Sequence, residues 1–88
     1  MVTINDAITL AAKNDPDLIP HMCTEYDELF CFFMANKNNE AIGNGCTYAV
    51  NKKTGKCEWK SMFADKAFRN AIPIKIYSEE EIIKLRDA

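Results

Sequence analysis

The stretch that decides the fold is GNGCTYAVNKKTGKCEW, Gly43 to Trp59. Cys46, Tyr48 and Val50 alternate with Thr47, Ala49 and Asn51, a period of two that reads as a strand. Lys52-Lys53-Thr54-Gly55 reads as the turn, with Gly55 suited to the left-handed position that closes a type I turn with a bulge. The return strand runs from Lys56 to about Phe63. The predicted register pairs Val50 with Cys57, Tyr48 with Trp59 and Cys46 with Ser61. Cys57, Trp59 and Phe63 then share one face, and Lys56, Glu58 and Lys60 the other. Because a one-residue slip would reverse every side chain, agreement across both strands argues for this pairing. The Tyr48–Trp59 pair is worth about 0.5–1 kcal/mol beyond simple burial.

Outward from the hairpin, the chain supplies a helix at each end. Thr3 and Asp6 form a capping box, and Ile4, Ala7, Ile8 and Ala11 then fall on one helical face. Asn14-Asp15-Pro16 ends that helix, since the residue before proline is pushed out of the α region. Ser78-Glu79-Glu80-Glu81 caps a second helix, whose Ile82, Ile83 and Leu85 are expected in the core. Between Pro16 and Pro20 lies a connector. Met22 to Asn36 reads as one long strand, apolar on both sides from Leu29 to Met34, so covered on both faces or bulged. Ala64 to Ala71 reads as a helical turn or loop. Ile72, Ile74 and Ile76 alternate as the inward side of a strand that Pro73 confines to an edge. The expected architecture is α+β: an N-terminal helix packed on a curved, mainly antiparallel three- to four-stranded sheet, with a short C-terminal helix.

With 88 residues the chain makes a single domain, residues 1–88. A net charge of −2 disfavours nucleic acid, which wants a strong positive excess. No apolar run approaches the roughly 20 residues of a membrane span. The N-terminus lacks the basic and apolar regions of a secretory signal, so a cytoplasmic location and free thiols at Cys23, Cys31, Cys46 and Cys57 are expected. His21 and Cys23 form a lone H-x-C, without the paired spacing of a zinc site, and no metal or cofactor is expected.

The candidate sites are few. Glu25, Asp27 and Glu28 form an acidic cluster, with Glu25 and Asp27 on one strand face about 7 Å apart. They read either as an exposed strand end or as paired carboxylates for acid/base work, though nothing else converges on them. Asn36 to Glu40 reads as a mobile polar loop. Lys52, Lys53 and Lys56 read as charges on a solvated turn, the alternative being an anion site without a second glycine cradle. Tyr48 and Trp59 read as core or as a binding platform. No catalytic residue is assigned.

The helix carrying DAITLAAK, the apolar YDELFCFF, the Gly43-Asn44-Gly45 approach, YAVNKKTGKCEW and the late acidic SEEEIIKL together resemble the YrhB-like, immunity protein 35 family. That resemblance covers about Asp6 to Gly55 and again Ser78 onward. It implies a small bacterial, non-enzymatic protein that neutralises a cognate toxin by binding it, one branch of the family behaving instead like a chaperone. On that reading the contact surface is Glu25, Asp27 and Glu28, by charge complementarity, with Asn38, Asn39 and Glu40 of the loop. The partner is a protein, a toxin or a client, and a homodimer is the alternative.

Overall fold

The structure is a computed structural model that describes residues 1–43, 45–62, 66–68 and 70–87. Asn44 and Phe63, and Ala64, Asp65 and Arg69 of the expected Ala64–Ala71 turn or loop, lie outside the described residues. The element order is α1 (Ile4–Asn14), β1 (Ile19–Glu25), β2 (Leu29–Ala35), β3 (Ala41–Ile42), β4 (Cys46–Asn51), β5 (Cys57–Ser61), a 3-10 turn (Lys66–Phe68), β6 (Lys75–Tyr77) and α2 (Glu79–Asp87). The class is α+β, as expected. The strand count is not: the described residues build a six-stranded antiparallel sheet in the order β5-β4-β2-β1-β6, with β3 pairing the far end of β2.

One extra strand comes from a turn at Tyr26–Leu29, and another is the short β3, which pairs with the end of β2. The segment from Met22 to Asn36 is two antiparallel strands, not one long strand. Tyr26 N–H donates to the Leu29 carbonyl at 2.8 Å and reverses the chain there. β1 then pairs back on β2, with Glu25 opposite Phe30 and Cys23 opposite Phe32. Beyond the expected connector, β1 also takes in Ile19 and Pro20. Its pairing shifts register between Pro20 and Met22, a bulge at His21. One extra residue swaps the faces of the strand, so both Pro20 and Cys23 lie fully buried opposite core residues of β2.

The β4–β5 hairpin has the predicted register, with Val50 opposite Cys57, Tyr48 opposite Trp59 and Cys46 opposite Ser61. Gly55 adopts φ +74°, and the Asn51 side chain accepts from the N–H groups of Lys53 and Thr54. Both helices sit on one face of the sheet. Their Ala7, Ile8, Ala11 and Ile82 pack on Cys23, Phe30, Phe32, Met34 and Val50. Both capping boxes are formed. Ile82 and Leu85 join the core, while Ile83 is only half-buried.

β5 and β6 are the two edges, so residues 62–74 must travel from one side of the sheet to the other. Met62 receives a hydrogen bond from Thr47 Oγ1 (3.7 Å to Sδ), and the Phe68 ring meets Tyr26, both on the face away from the helices. Cys31, Thr47 and Ala49 are fully buried on that second face. A central strand covered on both sides explains why Leu29 to Met34 is apolar throughout.

β6 lies at an edge, as Pro73 implied, but its phase is the reverse of the expected one. Pairing of Tyr77 with Cys23 and of Ile76 with Thr24 turns Tyr77 toward the helices and Ile76 away. Ile72, Ile74 and Ile76 are 85%, 60% and 62% exposed, not inward.

Candidate functional site: the acidic turn and its groove

The β1–β2 turn holds the acidic cluster, and it separates its members. Asp27 and Glu28 stand exposed at the tip. The turn is anchored from below by Lys52 N–H, which donates to the Glu28 carbonyl at 2.9 Å. Neither carboxylate has an ion-pair partner among the described residues. Glu25 does not share a strand face with Asp27, because the chain has already turned. Its side chain lies on the helix side, 2.6 Å from Lys52 Nζ and 3.2 Å from the Tyr77 hydroxyl. Lys52 in turn passes 4.9 Å over the Phe30 ring and is only 8% exposed. It belongs to the interior rather than to a solvated turn. Burial, and after it the negative charge of Glu25, pushes the Tyr77 hydroxyl up. Glu25 is thus engaged internally, whereas Asp27 and Glu28 remain available.

The second expected contact region lies elsewhere. Asn36 to Glu40 joins β2 to β3, at the other end of β2 from the acidic turn. Eight residues at about 3.3 Å each separate Glu28 from Asn36 by roughly 25 Å. The loop is closed on itself. Asn36 Oδ1 accepts from the N–H groups of Asn38 and Glu40 at 2.9 and 3.0 Å. Asn39 takes φ +64° and donates its side-chain amide to Glu79 at 3.3 Å. Glu79 also lies 3.6 Å from His21 Nε2. Asn38, Asn39 and Glu40 therefore form a surface of their own with the start of α2.

Three shallow grooves meet at Glu28. The first, about 250 Å³, runs between Tyr26, Leu29, Phe68 and Ile72, with Asp27 and Glu28 at its rim. The Tyr26 and Phe68 rings stand 5.4 Å apart and tilted by 48°. Burial, then Cys31, raises the Tyr26 hydroxyl. A second groove, of about 240 Å³, shares Asp27 and Glu28 with Lys52 and Lys53. A third, of about 250 Å³, joins Glu28 to Lys56, Glu58 and Lys60. There Lys56 and Lys60 lie 2.8 and 3.4 Å from Glu58 and hold its carboxyl below the usual range, Lys56 most strongly. Asp27 and Glu28 thus stand beside an apolar, aromatic wall in the first groove and beside Met1, Lys52 and Lys53 in the second, with no ion pair to either carboxylate among the described residues.

The remaining reactive groups do not gather at this turn. Cys23 and Cys31 are fully buried, and burial above all pushes the Cys23 thiol up. His21 sits in the β1 bulge, near the Asn36–Glu40 end. Among the described residues no group of three or more His, Cys, Asp or Glu could hold a metal ion, and no helix is long and apolar enough to cross a membrane. The Tyr48 and Trp59 rings lie 4.7 Å apart and tilted by 59°, with Trp59 45% exposed rather than in the core.

Two groove residues, Phe68 and Ile72, carry no sequence signal for this role. They reach the turn only because the β5–β6 connection crosses the sheet. Tyr26 was readable only as part of a strand. No protein-family model, no curated protein and no solved structure matches the chain.

Proposed function

We propose that the protein is a non-enzymatic binding module of the immunity type, which neutralises a cognate toxin by covering it with one surface. The resemblance of its hairpin and helices to the immunity protein 35 family motivates the class, and a cytoplasmic location goes with it. The observation that carries the reading is the exposed Ile72, Ile74 and Ile76 at and before β6, of which Ile72 lines one groove with Asp27 and Glu28, two carboxylates without an ion-pair partner among the described residues. Exposed apolar side chains grouped beside charged ones are the usual composition of a protein-docking surface. The matching partner surface is apolar with a basic margin.

The test is capture of the tagged protein's partner from its own host, followed by mass spectrometry. One dominant, stoichiometric protein lost on Asp27→Lys/Glu28→Lys supports the reading. A smear of unrelated clients points to the chaperone-like branch. Glu25 is left unchanged in this test, because reversing it breaks the Lys52 pair and reads stability instead.

Self-association is the second reading, favoured by Ile76 on the edge strand β6 and Ile74 just before it, where pairing with another chain is easiest. Light scattering at micromolar concentration decides it: a dimer that Ile74→Lys or Ile76→Lys returns to monomer supports it, and a monomer throughout removes it.

A further inference from the structure

The groove between the β1–β2 turn and the β5–β6 connection has three properties that together select one chemistry. Its walls are apolar and aromatic: Leu29 and Ile72 beside the tilted Tyr26 and Phe68 rings. Its rim carries Asp27 and Glu28, with no ion pair among the described residues. Lys52 is already committed to Glu25 at 2.6 Å, and Lys53 lines the adjoining groove without an ion pair to either carboxylate. Its size, about 250 Å³, falls below the roughly 300–1,000 Å³ of pockets that enclose small-molecule ligands. It has room for one or two side chains.

Ring faces attract cations, and carboxylates at the same mouth add charge-assisted hydrogen bonds. Leu29 and Ile72 suit the alkyl stem that a long basic side chain lays along apolar surface. The geometry points to this groove as the receptor for a basic side chain of the partner, an arginine above all, with an adjacent apolar residue resting on Ile72. Arginine is favoured over lysine because its planar guanidinium stacks on rings and binds carboxylates with two parallel bonds. This inference rests on the binding-module reading and names the chemistry that the partner must present.

The experiment is an NMR titration of the isotope-labelled full-length protein with acetyl-Leu-Arg-Leu-amide. The expected result is saturable amide shifts confined to Tyr26–Leu29, Phe68 and Ala71–Ile72. The same peptide with citrulline, which keeps the shape and loses the charge, binds at least tenfold more weakly. Asp27→Asn/Glu28→Gln, at an exposed turn, weakens the arginine peptide by the same factor with the thermal midpoint unchanged, and Phe68→Ala does so without touching the charge. Equal binding of the citrulline peptide, shifts elsewhere on the sheet, or no saturation at millimolar peptide overturns the inference. Failure of the wider reading looks different. A groove that passes these tests in a protein that captures no host partner keeps its chemistry while the immunity proposal falls. A host partner held at full strength by Asp27→Asn/Glu28→Gln keeps the binding module and overturns the groove.

Discussion

Lys52 Nζ lies 2.6 Å from the carboxylate of Glu25, although 27 residues separate them in the chain. The pair straddles β2. Glu25 is opposite Phe30, Phe30 is opposite Val50, and Lys52 follows in phase and reaches back over the Phe30 ring. It locks the β1 end to the β4–β5 turn beneath the acidic tip.

Breaking one side of this pair leaves an uncompensated charge in a poorly solvated place. Lys52→Ala is expected to cost about 3 kcal/mol, the low end for such pairs because Glu25 keeps some contact with water. Glu25→Gln/Lys52→Met should cost less than the two single changes summed, with a coupling of about 1–2 kcal/mol in a double-mutant cycle. Urea denaturation of the four proteins measures it, and strict additivity would show that the pair contributes nothing.

Gly43 and Gly55 both have positive φ, but only Gly43 is crowded. A Cβ at Gly43 (φ +114°) would come within 2.9 Å of Trp59 Cη2 and 3.1 Å of the Cys46 carbonyl. At Gly55 (φ +74°) the nearest atom is Leu10 Cδ1 at 3.5 Å. Gly55→Ala should therefore cost about 1 kcal/mol, the left-handed backbone alone. Gly43→Ala should cost about 2–3 kcal/mol and shift the emission of Trp59, since backbone strain and displacement of the ring add. Fluorescence-monitored unfolding reads both, Trp59 being the sole tryptophan.

The cap of α2 makes a pH-dependent contribution. Glu81 accepts from Ser78 N–H at 3.3 Å, which, with Lys75 at 3.4 Å, holds its carboxyl below the usual 4.5. A carboxyl lowered by folding binds its proton less readily in the folded state. Its stabilisation is therefore present above the unfolded value and lost as pH falls through the folded one. Glu81→Gln should flatten the acid limb of a stability–pH profile. Ser78→Ala removes the hydroxyl that accepts from Glu81 N–H at 3.2 Å and should cost about 1 kcal/mol, most of it present at neutral pH.

The thiols divide by burial. Cys23 and Cys31 are fully buried, while Cys46 and Cys57 are half-buried. Two thiols per chain should react with a disulfide reagent in the native state and four in denaturant. Cys57 should be slow, because burial and then Glu58 push its thiol up and lower its thiolate fraction. Native reaction of three or more would contradict the placement of Cys23 and Cys31.

Of the candidate contact residues, Asp27 and Glu28 lie where their charges suggested, at an exposed tip. Glu25 was legible as acidic but not as internal, because its partner Lys52 sits in another turn. Asn38, Asn39 and Glu40 were legible as a polar loop. Their tight closure depends on Asn36 Oδ1 and on Glu79, and the latter is reached only through the docking of α2.

The β4–β5 register, both capping boxes and the left-handed Gly55 were determined by the sequence alone. Each depends on neighbours a few residues apart, through strand alternation, cap hydrogen bonds and turn conformation. The turn at Tyr26–Leu29 escaped this reading because no glycine, proline or asparagine marks it and the alternation of Cys23, Glu25 and Asp27 with Met22, Thr24 and Tyr26 carries a strand period into it. Tertiary structure decided the rest. Pairing of β6 with β1 set which isoleucines face water, and placing β5 and β6 at opposite edges forced the connection across the sheet. That crossing brought Phe68 and Ile72 beside Asp27 and Glu28. These outcomes depend on which strands become neighbours, and chain-distant pairing leaves no local periodicity to read.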